Sequence, residues 1–272
     1  VQKILSSDRM FAWVAKNVAP EKADRAKALK LPHIAFRDRF RRVYPNLESA
    51  AQVIGFTNAT GKGLEGLEFK YNDLLSGKRE TFSFQKDGNG SVLSTSGDRQ
   101  PHLKGQSLVL TLDRHIQYLS EQALEQAVTR HRGKTGMALV MRPATGELLA
   151  IAHYPRFNPN TFSKFDQTTF RNRAVTDPFE PGSVIKVFTA AAALEYGFSP
   201  KEIFFCENGT YKIGRFTVND THPHDWLSIN QIIKYSSNIG ATKIVEIIGP
   251  DVLHKKLLAF GFGSRTRVGC PG

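Results

Sequence analysis

Apolar and polar positions change period several times along the chain, and each change marks an element. Phe11 to Leu29 carries an Ala-rich, charged periodicity that predicts a helix. Arg41-Arg42-Val43-Tyr44-Pro45 reads as an extended segment ending in a proline turn, and Ala51 to Phe56 as a strand. Leu67 to Leu75 is helix-like. Lys78 to Lys104 is rich in Gly and Ser and reads as strands and turns, including the alternating Thr81-Phe82-Ser83-Phe84 before Asp87-Gly88-Asn89-Gly90. Leu108 to Asp113 reads as a short strand entering a helix over about Arg114 to Arg130. One face of that helix collects Ile116, Leu119, Ala123, Leu124, Ala127 and Val128.

Past this connector the pattern becomes more apolar. Met137 to Met141 and Glu147 to Ala152 flank the turn Pro143-Ala144-Thr145-Gly146, predicting a hairpin at the centre of a core sheet. A polar stretch, Arg156 to Asp177, leads to an Ala- and Leu-rich helix starting near Ser183 and closed by Gly197. Short strands and turns follow from Ser199 to Trp226. Ser228 is placed to cap a helix over Ile229 to Tyr235. That helix ends at Ser236-Ser237-Asn238, and helical character resumes from Ile239 to Ile248.

The Ser183 helix is apolar nearly all round, which predicts burial. Ser183 and Lys186 are the exceptions, three residues apart and so on one face at the N-terminus. Burial lowers a lysine's pKa, and a neutral amine beside a hydroxyl is a base beside a nucleophile. Unpaired amides of the helix start could bind a developing oxyanion. The alternative is a Ser183 that only caps and a Lys186 that snorkels to solvent. Ser-x-x-Lys is a cheap pattern, and Ser83-Phe84-Gln85-Lys86 repeats it, but in a strand-like run without a helix start.

Composition narrows the classes. Apolar content of 40% and charged content of 23% are those of a globular domain or two, and no run of eighteen apolar residues exists to span a bilayer. The chain starts at Val1 without a signal-like segment, so address information is absent or removed. The net charge of +12 is spread along the chain, densest at Arg37 to Arg42, and reads as a solvated basic face; no nucleic-acid motif accompanies it. Gly61-Lys62-Gly63-Leu64-Glu65-Gly66 formally matches a dinucleotide fingerprint, but an antiparallel hairpin-like run follows where a βαβ unit needs a parallel strand. Thr221-His222-Pro223-His224-Asp225 lacks a third metal ligand and reads as a turn. Cys206 and Cys270 have neither metal nor redox spacing and are expected to be free thiols. No cofactor and no metal are expected.

Glu180-Pro181-Gly182-Ser183-x-x-Lys186 followed by Ser236-Ser237-Asn238 resembles the first two motifs of the penicillin-recognising serine transpeptidases. Thr145-Gly146-Glu147, Tyr154-Pro155 and Asn172 to Asp177 are similar to that domain's opening and its approach to the nucleophile. Val53 to Phe56 and Gly63 to Glu68 resemble the non-catalytic pedestal of class B penicillin-binding proteins, closest in form to division-specific enzymes. The resemblance implies an α+β architecture: a partial pedestal over 1–107, then a partial transpeptidase domain over 108–272 with an antiparallel sheet flanked by helices. It implies Ser183 as nucleophile, Lys186 as base, Ser236 as proton relay, and Asn238 as the residue that holds the substrate amide and helps fix Lys186. Implied partners are peptidoglycan stem peptides, β-lactam antibiotics and division-complex membrane proteins on the pedestal. The implied location is the cytoplasmic membrane, with the catalytic domain outside the cytoplasm.

The family's third motif, Lys-Thr/Ser-Gly, should follow the other two. Lys134-Thr135-Gly136 precedes the nucleophile and reads as coincidence. The expectation is therefore a piece of a longer protein, lacking anchor and third motif. Two other classes stay open: a carboxypeptidase or β-lactamase of the same superfamily, and a non-enzymatic scaffold.

Overall fold

A computed structural model describes residues 12–16, 18–36, 41–77, 84–86, 92–95 and 105–271. The chain forms two compact units, one of residues 1–176 with 270–272, the other of residues 177–269.

In the first unit the helix Arg114–Arg130 has the expected bounds, but of its expected apolar face only Val128 is fully buried, and Leu119, Ala123 and Ala127 are exposed. Asp113 caps it, its carboxylate accepting from the amides of His115 and Ile116, both at 2.9 Å. It packs on the antiparallel hairpin Gly136–Met141 with Leu148–Tyr154, whose return strand is buried from Ala150 to His153. The join is polar as well as apolar. Gln117, buried on the helix, donates to the Ile151 carbonyl at 3.0 Å and accepts from the Ile151 amide at 2.8 Å. Glu121, also buried, accepts from Gln117 and from the Ala50 amide, and lies against Arg156. These bonds satisfy groups that the helix and strand would otherwise bury unpaired.

Two cores lie beside this join. One gathers Tyr44, Ala51, Phe56, Phe157 and Phe170; the other gathers Ala50, Val53, Leu67 and Ile151. Residues on both sides of the expected 107/108 boundary share them. Tyr44 accepts from the Thr57 amide at 2.9 Å and reaches Glu68, which is paired with Arg42. Burial, with the Glu68 carboxylate second, pushes the Tyr44 phenol up to about 12.

Several expectations need correction. Ala51–Ile54 is a short helix, not a strand. Gln52 looks like the outward position of an alternating strand, yet it is buried and donates to the carbonyls of Pro155 and Thr169. Leu108 to Asp113 forms no strand. Its ties to the hairpin are scattered, Thr111 donating to the Leu148 carbonyl and the Asp113 amide to that of Leu149, and Val109 is left 92% exposed. The helix expected over Phe11 to Leu29 covers Pro20–Ala28 among the described residues, with proline setting its start; Phe11 lies outside them. Leu67 to Leu75 breaks at Tyr71 into Gly66–Lys70 and Asn72–Leu75. The hairpin does not sit at the centre of a larger sheet: every sheet among the described residues has two strands. Most of the Lys78 to Lys104 stretch and Arg37 to Phe40 lie outside the described residues; Phe84–Lys86 and Val92–Thr95 within it pair antiparallel.

The glycine fingerprint has a packing explanation. A Cβ on Gly63 would lie 1.9 Å from the Glu68 carbonyl oxygen, and one on Gly66 would lie 2.5 Å from that of Val53. The glycines let backbone meet backbone, and an isolated antiparallel bridge joins Thr57 and Gly63.

In the second unit the helix Lys186–Tyr196 packs on Asn238–Ile248 and Pro250–Ala259. The core is Ala192, Ala193, Phe204, Cys206, Leu227, Ile229, Ile232, Ile239, Ile244 and Ile248. Strand Ile203–Phe205 pairs antiparallel with Trp226–Ser228, and Thr210–Ile213 with Phe216–Asn219. Ser228 caps Ile229–Tyr235 as expected and does so in a full capping box with Gln231. Cys206 and Cys270 are free thiols.

Candidate active site

Ser183 enters the helix through a tight 3-10 turn, Gly182–Ile185, and the α-helix proper starts at Lys186. Gly182 has φ +57°, a left-handed conformation that favours glycine. The turn carries no side-chain cap, so its leading amides stay uncommitted to a neighbouring side chain. Ser183 is exposed, whereas Lys186 is 7% exposed.

Ser236 comes from the other side. It ends the helix Ile229–Tyr235 in a left-handed conformation, φ +58° and ψ +40°, unusual for a residue with a Cβ. Its hydroxyl lies 2.7 Å from Ser183 Oγ and 3.0 Å from Lys186 Nζ. Lys186 Nζ is 3.2 Å from Ser183 Oγ, closing a triangle, and also donates to the Ser236 carbonyl at 2.5 Å. Burial holds the Lys186 amine below the usual lysine range, and Asp220 partly opposes this. A neutral amine here donates to Ser236 and offers its lone pair to the Ser183 hydroxyl. That arrangement can take the proton as Ser183 attacks a carbonyl.

Three of the four expected site residues, Ser183, Lys186 and Ser236, thus meet within hydrogen-bond distance. Asn238 does not join them as expected. Its amide donates to the Asn219 carbonyl at 2.8 Å, and Lys186 is fixed by Ser236 instead.

Sequence reasoning missed the layer behind this triangle. Ser237 is 1% exposed, caps Asn238–Ile248 by accepting from the Gly240 amide, and donates to Asp220 at 2.6 Å. The second Asp220 oxygen accepts from the amides of Asn238 at 2.5 Å and Ile239 at 3.0 Å. Two adjacent serines between helices were the legible signal, one turning the chain and one capping. Nothing local marked Asp220, which sits just past the strand Phe216–Asn219. In the His-Pro-His turn, His224 stacks on Tyr235 with ring centroids 5.0 Å apart. Lys134 and Thr135 are exposed beside the first hairpin strand, and Ser83 lies outside the described residues.

Residues 136–272 match the penicillin-binding protein transpeptidase domain, and residues 5–110 the penicillin-binding protein dimerisation domain. The chain belongs to the penicillin-binding protein transpeptidase family. It resembles the probable peptidoglycan D,D-transpeptidase PenA of Neisseria meningitidis, 35% identical over 99% of this chain and 47% of the relative. It also resembles the peptidoglycan D,D-transpeptidase FtsI of Escherichia coli, 34% identical over 96% of this chain and 44% of the relative. Penicillin-binding protein 3 of Mycobacterium tuberculosis superposes with a TM-score of 0.73 at 33% identity, over 85% of this chain and 49% of that one. That protein is also known in complex with ampicillin. The chain spans about half the length of the curated relatives it matches. The α+β architecture of pedestal and transpeptidase parts follows from these matches. No helix among the described residues is long and apolar enough to cross a membrane.

Proposed function

We propose that this chain is part of a peptidoglycan D,D-transpeptidase that cross-links stem peptides through an acyl-enzyme on Ser183. The observation that carries the reading is the Ser183, Lys186 and Ser236 triangle, with contacts of 2.7 to 3.2 Å around a buried amine. Ser183 Oγ attacks the carbonyl of the penultimate D-Ala, and its proton passes to Lys186. The Ser183 amide supplies one donor to the oxyanion. Ser236 relays a proton to the leaving amine as the peptide bond breaks and D-Ala departs. An amine of a second stem peptide then attacks the ester and releases Ser183. Asn238 borders the substrate amide. A β-lactam enters the same acylation and stalls. None of these steps calls on a metal or a cofactor.

The names of the PenA and FtsI relatives support this activity, and the FtsI names support a role in division. The wider reading includes a pedestal over 1–107 that engages division-complex membrane proteins and a catalytic part over 108–272. It also includes a membrane anchor elsewhere in the protein and a catalytic domain outside the cytoplasm.

The test is to incubate the full-length protein with a pentapeptide stem and an acceptor amine, and to follow products by mass spectrometry. Release of D-Ala together with a cross-linked product, both lost in Ser183→Ala, is the expected result. D-Ala release with water as the only acceptor would make it a carboxypeptidase and contradict the reading.

A further inference from the structure

A cavity of about 500 Å³ opens in the first unit between the turn from Pro45 to Ser49 and the first turns of the helix Arg114–Arg130. That volume lies in the range of ligand sites. The lining joins the stretch that matches the dimerisation domain to the helix that follows it, whereas Ser183, Lys186 and Ser236 belong to the second unit. Leu47 and Tyr118 supply apolar surface and are 56% and 54% exposed. Leu47 has φ +52°, a left-handed conformation that is costly for a residue with a Cβ. The chain thus holds an apolar side chain in the open at a conformational cost, the kind of outlier that clusters at ligand clamps.

Arg114 supplies positive charge to the same lining, and among the described residues it has no carboxylate partner. The acids near it in the fold are engaged elsewhere. Asp113 accepts from the His115 and Ile116 amides, and Glu48 faces Arg156 at 4.0 Å. Arg42 and Arg156 of the same unit are, by contrast, paired with Glu68 and Glu125. We propose that this cavity takes a short acidic and aliphatic segment of a partner protein, with a carboxylate on Arg114 and an aliphatic side chain against Leu47 and Tyr118. A guanidinium fork matches a carboxylate in shape and charge. The net charge of +12 draws an acidic segment toward the chain from a distance. The proposal goes beyond the transpeptidase reading, and its test reads binding, so a failure of acylation leaves it standing.

The test uses the full-length protein and the anisotropy of a fluorescein-labelled Leu-Glu-Leu-Glu peptide amide, with a Leu-Gln-Leu-Gln peptide beside it. Arg114→Gln removes the charge. Leu47→Gly removes the apolar contact and suits the left-handed backbone, so it keeps the fold. Lys255→Gln removes an exposed charge outside the cavity. Thermal melting checks each variant. The acidic peptide is expected to bind, the Gln peptide to bind at least about fivefold more weakly, and Arg114→Gln and Leu47→Gly each to weaken the acidic peptide by at least about fivefold, with Lys255→Gln within about twofold of the unsubstituted protein. No binding of the acidic peptide, an equal loss in Lys255→Gln, or no loss in folded Leu47→Gly overturns the proposal. A stem pentapeptide that displaces the probe from the Ser183→Ala protein at lower concentration than unlabelled acidic peptide also overturns it, because the cavity would then take substrate and not a partner.

Discussion

Lys186 occupies a place that is poor for stability and good for chemistry. Its amine is held among serine oxygens at the base of an apolar helix, and burial lowers its pKa. The folded protein therefore gives up this proton at a lower pH than the unfolded chain. Between the two values the unfolded chain binds more protons, so the Lys186 contribution to stability rises with pH there; below the folded value the full burial cost is present. Lys186→Met should thus melt at or above the unsubstituted protein at neutral pH, with the gap closing toward alkaline pH, while acylation falls by a factor of about 10²–10⁴. A variant that loses both stability and acylation together would instead mark Lys186 as a structural residue. Gly182 is the second sensitive position. Nothing crowds a Cβ there, so Gly182→Ala tests backbone conformation alone and should cost about 1 kcal/mol in denaturant unfolding. At this scale the sequence was legible where chemistry clashed with packing, as with a serine and a lysine in an Ala-rich helix. It was silent on Asp220, an acidic residue at a strand end among many like it.

Elements were legible where one periodicity ran long enough. Arg114–Arg130 and the Gly136–Met141 hairpin form where the pattern places them, although Leu119, Ala123 and Ala127 of the expected apolar face are exposed while Gln117 and Glu121 are buried. The short pieces failed because their burial is set by distant partners. Gln52 is inside because Pro155 and Thr169 offer carbonyls, and no local pattern encodes that. Long-range polar ties of this kind make testable claims about single elements. Gln117→Leu leaves the Ile151 amide and carbonyl without their partner and should destabilise the protein by about 1–3 kcal/mol. Hydrogen exchange should show the loss first at Ile151, and unchanged protection there would count against the Gln117 tie. In the second unit, Gly240 lets two helices touch. A Cβ there would sit 2.5 Å from Ile232 Cγ1 and 2.6 Å from its Cδ1. Gly240→Ala should cost about 1–3 kcal/mol by overpacking, and Ile232→Val should recover part of it. Additive losses in the double variant would contradict that contact.

For the whole molecule, the chain spans about half the length of the curated relatives, yet all three members of the serine and lysine triangle lie in the one compact unit of residues 177–269. Ser183, Lys186 and Ser236 are positioned by local helices and by the Asp220 layer within that unit. The pedestal-like segment folds with the hairpin in the other unit, through shared aromatic and aliphatic cores. Motif order carried the family assignment from sequence, because combinations of motifs are specific where each alone is cheap. The cores of the first unit draw on residues from both sides of the expected 107/108 boundary. The central claim is that Ser183 is an activated nucleophile. The most direct test is intact-mass analysis and peptide mapping after incubation with a labelled penicillin, comparing the full-length protein with Ser183→Ala. The account predicts one covalent adduct on the peptide containing Ser183, absent from the variant. An adduct on another residue, or none on a folded full-length protein, would contradict it.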